Sequence, residues 1–524
     1  MVSSALVDRA TVAARDRVED LGTAPGPEIP EPVFGAADSR RGLITGLVIG
    51  LLAFVTRFWG LTHPTDKGTP VFDEKHYVPQ GWQVLTGGGW IEDNPAYGLV
   101  VHPPVGKWML AFGEALFGYN PMGWRFTAAV SGVVIVVAVY LTARRLSRST
   151  LIGALAGVFA ICDGVLFVQS RMGMLDIFQA LFIVLAFSAL IADRDQVRRR
   201  MDRVYREGRI GLSDYGPRMG FRWYRFAAGV SLGLACGTKW SGLYFVIAYT
   251  LLSLWFDVRA RKDYHVRKPW RGTLLRDAVP TVASLAVLPV LIYLASFALW
   301  FRSETSVYRY VVGVEVGTDG PWAWVPGALR SFWYYESGIL EFHAGLTNAA
   351  GNDHPWESKP WTWPMGLRPM LYAISYGPDQ CGGGDCIRAQ MLIGTPALWW
   401  PAIPMLIWGL WKAIFRRDWR YQAALAAYFA GILPWFGEID RQMYFFYATA
   451  IAPFLVMGLA LCCGDVLASA ARGRHSPGRL MAVSAVAFYV TLVVADFVFM
   501  WPVLTGTPIS NQWWNMQLWL PSWT

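Results

Sequence analysis

Charge is what this 524-residue sequence has little of. Asp, Glu, Lys and Arg make up 16% of it, against roughly 25% in an ordinary soluble domain. That is too little to cover the surface of a soluble protein of this size. Histidine is scarce, with seven scattered residues, and no metalloprotease helix motif occurs. A Walker-type glycine-rich lysine loop is missing as well; Gly87-Gly88-Gly89 reads as a turn. Asp73 and His76 could begin a metal site, but a third ligand is not evident, so no metal is expected. What is abundant is apolar: 54% hydrophobic residues, with 27 Trp, 22 Tyr and 29 Phe. So many aromatics exclude a disordered chain. The apolar runs are too long for the alternating strands of a porin-type barrel. The expectation is an all-α polytopic membrane protein.

Residues 1–42 are polar, with stretches such as Ala24-Pro25-Gly26-Pro27, and read as a flexible tail. The first apolar run begins near Gly42, after Arg40 and Arg41, which reads as a start-anchor helix rather than a cleaved signal. About eleven spans are expected, near 43–60, 122–143, 150–168, 173–192, 226–236, 240–256, 279–301, 394–411, 421–436, 442–464 and 480–501. The apolar stretch 104–118 is too short to cross, since about 20 residues are needed, and reads as an interfacial or re-entrant helix. Two large loops remain, 61–121 and 302–393, followed by a tail at 502–524. Of the 46 Lys and Arg, 32 fall in the first tail and the loops that share its side. The positive-inside rule then puts the N-terminus in the cytoplasm and both large loops outside. Topology thus accounts for the formal charge of +9, and no nucleic-acid partner is expected.

Polar residues that escape the cytoplasmic logic cluster on the outer side. Ionisable groups at membrane depth are costly and ask for a partner or a task. Asp73-Glu74 lies about a dozen residues beyond the first span. One carboxylate could act as a base toward a hydroxyl while the other holds a neighbour, or both could be acids at a helix start. His102-Pro103-Pro104-Val105-Gly106-Lys107 has paired prolines fixing an extended entry to the apolar stretch, with His102 and Lys107 at the interface. Arg125, Arg171, Lys239 and Arg441 are lone cations near the outer ends of spans. They fit either a pocket for an anion such as phosphate or local ion pairs, Arg171 with Asp176 and Arg441 with Asp440. Loop 302–393 is rich in aromatics, including Trp361 and Trp363, beside His343 and His354. Such rings suit a membrane interface, and a minority could stack on a sugar. Cys162, Cys236, Cys462 and Cys463 fall in or beside apolar spans as small core residues. Cys381 and Cys386 bracket Gly-Gly-Gly-Asp in an outer loop, where a disulfide is permitted.

Taken together, Phe72-Asp73-Glu74, His102-Pro103-Pro104, Ser170-Arg171 with Leu175-Asp176, Thr238-Lys239-Trp240, Trp361-Thr362-Trp363-Pro364 and Arg441-Gln442-Met443-Tyr444-Phe445 resemble the protein O-mannosyltransferases, in family order over residues 43–464. The closest look is to actinobacterial members. The resemblance implies a membrane glycosyltransferase of the GT-C class, with residues 43–501 as its catalytic domain. It implies transfer of mannose from polyprenyl phosphate mannose to Ser or Thr of secreted proteins, with inversion at the sugar. It makes Asp73 the base and Glu74 an acceptor- or site-organising carboxylate. Arg125, Arg171, Lys239, Arg441, His102 and Lys107 become candidates for the donor phosphate, and Trp361, Trp363, His343 and His354 for sugar or acceptor. The lipid-linked sugar is then a substrate, and no cofactor is expected. Expected partners are the donor, secreted polypeptides, membrane lipid and the secretion translocon. Loop 302–393 is too short for the ligand-binding repeat domain of fungal and animal members. Rival readings are a related transferase acting on a lipid or cell-wall glycan, a transporter or flippase, and a scaffold for secretion.

Overall fold

A computed structural model describes residues 38–87, 101–351, 353–377, 386–470 and 477–524. Among the described residues, seven helices are long and apolar enough to cross a membrane. They are α1 (Ser39–Phe58), α4 (Pro121–Ser147), α6 (Leu175–Arg206), α8 (Gly242–Asp263), α9 (Pro269–Ser296), α13 (Ala452–Ser469) and α14 (Pro477–Thr505). The other four expected spans are also helical but run only 13 or 14 residues: α5 (Thr150–Cys162), α7 (Trp223–Cys236), α11 (Ala402–Ile414) and α12 (Trp419–Ile432). By length alone, then, seven spans stand where about eleven were expected. The run expected from 442 enters its helix only at Ala452, after a 3-10 turn at Phe445–Ala450. The chain is a multi-pass helical membrane protein.

Burial orders the helices. The best apolar window of α6 is 83% buried, while those of α1, α9 and α14 are 17–22% buried. α6 is therefore the axis, and the other three turn most of their apolar surface outward. That distribution is the one expected where lipid, rather than water, covers the perimeter. Local signals set the boundaries. Asn120 caps α4, its side-chain oxygen accepting from the Met122 and Gly123 amides at 3.0 and 3.2 Å, with Pro121 in the first turn. Ser149 caps α5 in the same way.

The first large loop holds two helices, α2 (Glu74–Thr86) and α3 (Val105–Phe117). α3 is the expected short apolar helix. It crosses α4 closely, because a side chain on Gly123 would collide with the Gly118 carbonyl and the Glu114 backbone. The second loop contains α10 (Gly327–Gly345) and a small antiparallel sheet. In it β1 (Met370–Tyr376) pairs with β2 (Cys386–Leu392), Met370 opposite Leu392 and Tyr376 opposite Ile387. β3 (Ile509–Ser510) adds to the other edge of β2. These strands correct the all-α expectation. The tail at 502–524 is sewn to loop 302–393 through β3 and closes with Trp523 fully buried. Cys386 is disulfide-bonded. Cys162, Cys236, Cys462 and Cys463 are free, and Cys381 lies outside the described residues.

Candidate active site

Chain direction brings one set of helix ends together. α1 ends, α4 and α6 begin, α7 ends and α8 begins at the same end of the bundle, beside both large loops. The site is built there.

Asp73 stands just before α2, and the residue in front of it is unusual. Phe72 has a φ of 50°, in the left-handed region that a bulky L-residue rarely enters. Its ring is held by stacking on Tyr372 of β1 at 4.6 Å and by an edge contact with Phe446 at 6.1 Å. This turn splits the two acids. Glu74 points inward, fully buried, and accepts a fork from Arg125: Nε to Oε1 at 2.7 Å and Nη2 to Oε2 at 2.7 Å. It also accepts from the amides of Gly173 (2.7 Å) and Val71 (3.2 Å). Arg125 spends further donors on the carbonyls of Leu61 (3.2 Å) and Pro64 (2.8 Å). Glu74 therefore ties the first loop to the start of α4 through Arg125 and to the approach to α6 through Gly173, and this fork leaves neither side chain turned toward a substrate.

Asp73 is the opposite case. Its side chain is half-buried, and among the described residues its carboxylate has no hydrogen-bond partner. Burial raises its pKa to about 6, against the pull of Lys239 and with a push from Asp176. Lys239 and Asp176 form a buried pair, Nζ to the two carboxylate oxygens at 2.9 and 2.8 Å. The ammonium lies 5.5 Å from the centre of the Phe446 ring and 5.9 Å from that of Tyr447. Tyr372 closes this side, its hydroxyl accepting from Gln169 at 3.0 Å.

A second group faces Lys239. His102 lies within electrostatic reach of Lys239, His343, Lys107 and Arg441. Its ring stacks on His343 at 5.3 Å. Burial and these cations drive His102 well below the usual imidazole range, and burial, aided by Arg441, drives His343 to about 4. Both are neutral at pH 7. Hydrogen bonding assigns the His343 tautomer: Nε2–H donates to the Val101 carbonyl at 3.0 Å, and Nδ1 accepts from Arg441 Nη2 at 3.3 Å. Arg441 also donates to the His343 carbonyl at 3.2 Å, and its Nε is buried without a partner. Lys107, wholly buried, donates to the His102 carbonyl at 2.5 Å.

The structure thus gathers Asp73, Lys239, His102, His343, Arg441 and Lys107 into one cluster of interacting groups, with Glu74 and Arg125 behind Asp73. Other candidates stand elsewhere. Arg171 donates to the carbonyls of Arg57 (3.0 Å), Trp59 (2.6 Å) and Gly60 (2.9 Å), so it satisfies the open end of α1 rather than an anion. Arg57 in turn caps α5 through Ala160 and Ile161, and both guanidiniums lie over Phe167. The local ion pairs anticipated for Arg171 and Arg441 do not form: Asp176 takes Lys239, and Arg441 takes His343. Trp363 is corrected. It is fully buried against Trp435 and Tyr447 with its indole N–H on Ser358 at 2.9 Å, so no face is left for a sugar. Trp361 is 53% exposed. His354 meets the ring of Tyr444 at 5.3 Å, one ring removed from Phe446. Among the described residues no group of three or more His, Cys, Asp or Glu is arranged for a metal. Sequence reasoning missed Phe72 as a strained support and Tyr372, Phe446 and Tyr447 as pocket walls; aromatics are too common in this chain for any one to stand out.

Fold and site define a multi-pass membrane protein with a cluster of ionisable groups at one end of its bundle. Two family profiles match, the dolichyl-phosphate-mannose-protein mannosyltransferases over residues 111–303 and the C-terminal four-helix region of protein O-mannosyltransferases over 328–523. A polyprenol-phosphate-mannose–protein mannosyltransferase of Mycolicibacterium smegmatis is 56% identical over 501 residues, 95% of this chain and 96% of the relative. Its counterpart in Mycobacterium tuberculosis is 55% identical, covering 98% of each chain, and that of Corynebacterium glutamicum is 44% identical, covering 97% and 98%. The solved Saccharomyces cerevisiae protein O-mannosyltransferase Pmt1–Pmt2 complex bound to the sugar donor shares the fold, with a TM-score of 0.70 at 16% identity over 92% of this chain and 93% of that one. The chain belongs to the protein O-mannosyltransferase family.

Proposed function

We propose that this enzyme transfers mannose, with inversion, from polyprenyl phosphate mannose to Ser or Thr hydroxyls of secreted proteins at the extracytoplasmic membrane boundary. The observation that carries the mechanism is the contrast within Asp73-Glu74. One carboxylate is consumed by Arg125, and the other is free beside a cluster of cations. Asp73 takes the proton of the acceptor hydroxyl as its oxygen attacks the anomeric carbon. The bond from that carbon to the phosphate oxygen breaks on the opposite face, and polyprenyl phosphate departs with the electron pair. The leaving group is already an anion, so what it needs is positive charge and N–H donors rather than a proton. Lys239 and Arg441 supply the charge. His102 contributes as a neutral imidazole, His343 orients Arg441, and Lys107 orders the His102 turn. Glu74 and Arg125 hold Asp73 in register. Trp361 and His354 lie on the acceptor side. The reaction then proceeds without a metal.

The proposed setting is a GT-C bundle of eleven membrane helices, with the short α5, α7, α11 and α12 crossing as tilted or thinned segments. Its N-terminus is cytoplasmic and both large loops face outward, where a secreted chain emerging from the translocon would meet them. Cation asymmetry supports this orientation, as does the meeting of all the loops that carry the site at one end of the bundle. Membranes containing the protein, given labelled polyprenyl phosphate mannose and a Ser/Thr-rich secreted peptide, should label the peptide with α-linked mannose, and EDTA should leave the rate unchanged. Label entering only lipid or glycan would overturn the acceptor assignment.

A further inference from the structure

Trp240, next in sequence to Lys239, is held by a chain of hydrogen bonds that the transfer mechanism has not used. Its indole N–H donates to the Tyr293 hydroxyl at 2.9 Å, and that hydroxyl donates to Glu336 Oε2 at 2.8 Å. The indole can only donate, so the Tyr293 hydroxyl accepts from it and directs its single proton to Glu336. Glu336 Oε1 is buried with no partner. The three residues come from separate elements: the turn between α7 and α8, the end of α9, and α10. α10 meets Trp240 twice. His343, two turns beyond Glu336 on the same helix face, lies 6.3 Å from the Trp240 ring, edge-on. The same helix is anchored by Tyr335 and Ile339 on Phe297 and Trp300, at the end of α9. The indole is thus fixed at its N–H edge and flanked by the imidazole that binds Arg441.

We propose that Glu336 is a positioning residue: through Tyr293 it sets the indole of Trp240 at the cationic, donor-binding wall of the pocket. The inference rests on the mannosyl-transfer reading, because the cationic wall is the donor side only if the donor is a sugar phosphate. Glu336→Leu leaves the Tyr293 hydroxyl without its acceptor, and Tyr293→Phe removes both links. Each should raise the KM for polyprenyl phosphate mannose roughly five- to tenfold, the scale of one buried hydrogen bond lost, with the acceptor-peptide KM unchanged. Glu336→Gln keeps an accepting oxygen and should recover most of the loss. In a Trp240→Phe background, Tyr293→Phe should add nothing, because the chain then has nothing to hold. Additive effects of Trp240→Phe and Tyr293→Phe, equal changes in both KM values, or no recovery by Gln would overturn the proposal while wild-type transfer continued. A wild type that transfers no mannose would overturn the functional reading itself, and this inference with it.

Discussion

The two ends of the helix bundle treat charge in opposite ways. At the end where α6 finishes, cations are matched to carboxylates. Arg222 is bracketed by Asp193 and Asp257, the latter at 2.7 and 2.8 Å, with all three buried. Arg261 binds Asp277 at 2.7 Å, Arg198 binds Asp263 at 2.6 Å, and Lys412 binds Asp465 at 3.0 Å. At the end where α6 begins, pairing stops short. Among the described residues the Asp73 carboxylate has no hydrogen-bond partner, and two histidines are pressed into the neutral form. Matched charge fixes helices to one another. Unmatched charge is costly to bury and survives where a ligand completes it. The same residue types are therefore fully paired at one end, while at the other paired groups such as Glu74 and Arg125 stand beside an unpaired Asp73.

That contrast can be broken at its strongest point first. Asp73→Asn should lower transfer by about 10²- to 10⁴-fold, the range of a lost general base, with insertion and thermal stability unchanged. A folded, inserted variant of undiminished rate would remove Asp73 from the chemistry. Arg222→Ala should do the reverse. It leaves Asp193 and Asp257 without their shared cation and should cost about 3–5 kcal/mol of stability, seen as a lower melting temperature in detergent, with KM values of the surviving enzyme intact. Arg125→Lys lies between the two. It keeps the charge but loses the fork to Glu74, and should lower both stability and kcat, the stability by about 1–3 kcal/mol. The effect of pH is gentler. Asp73 titrates near 6 and must be ionised to accept a proton, so kcat/KM should level off above that value. Below it, kcat/KM should fall about tenfold per pH unit. The smallest effect belongs to the exposed member of an aromatic pair: Trp361→Ala should alter only acceptor KM, by roughly two- to threefold, whereas its buried neighbour Trp363→Ala should destabilise the protein by about 3–5 kcal/mol through the cavity it leaves.

How far the sequence could be read depended on whether a property was local. Each expected span became a helix, because apolar run and helix are features of one stretch of chain. Whether α5 or α12 is long enough to cross was less legible, since breaks at Asp163 and Pro434 shorten helices inside runs that remain apolar. The acids at Asp73-Glu74 were visible as a pair, but their division of labour was not. It depends on Arg125, 51 residues away, and on a backbone turn at Phe72 that no composition signals. Arg171 and Lys239 looked alike as lone cations. One meets the open carbonyls of α1 and the other meets Asp176 across the pocket, a difference set by three-dimensional neighbours. Trp361 and Trp363, two residues apart, point to opposite environments for the same reason. The β1–β2–β3 sheet was missed because its strands are short and lie in a loop and a tail that hydropathy reads only as non-spanning.

The left-handed turn at Phe72 has an evolutionary corollary. Glycine would fit that backbone at lower energy, yet would bring no ring to rest on Tyr372 and Phe446. Relief by glycine would therefore forfeit more packing than it returns, and most other replacements would keep the strain while losing the anchor, so that codon tolerates little drift.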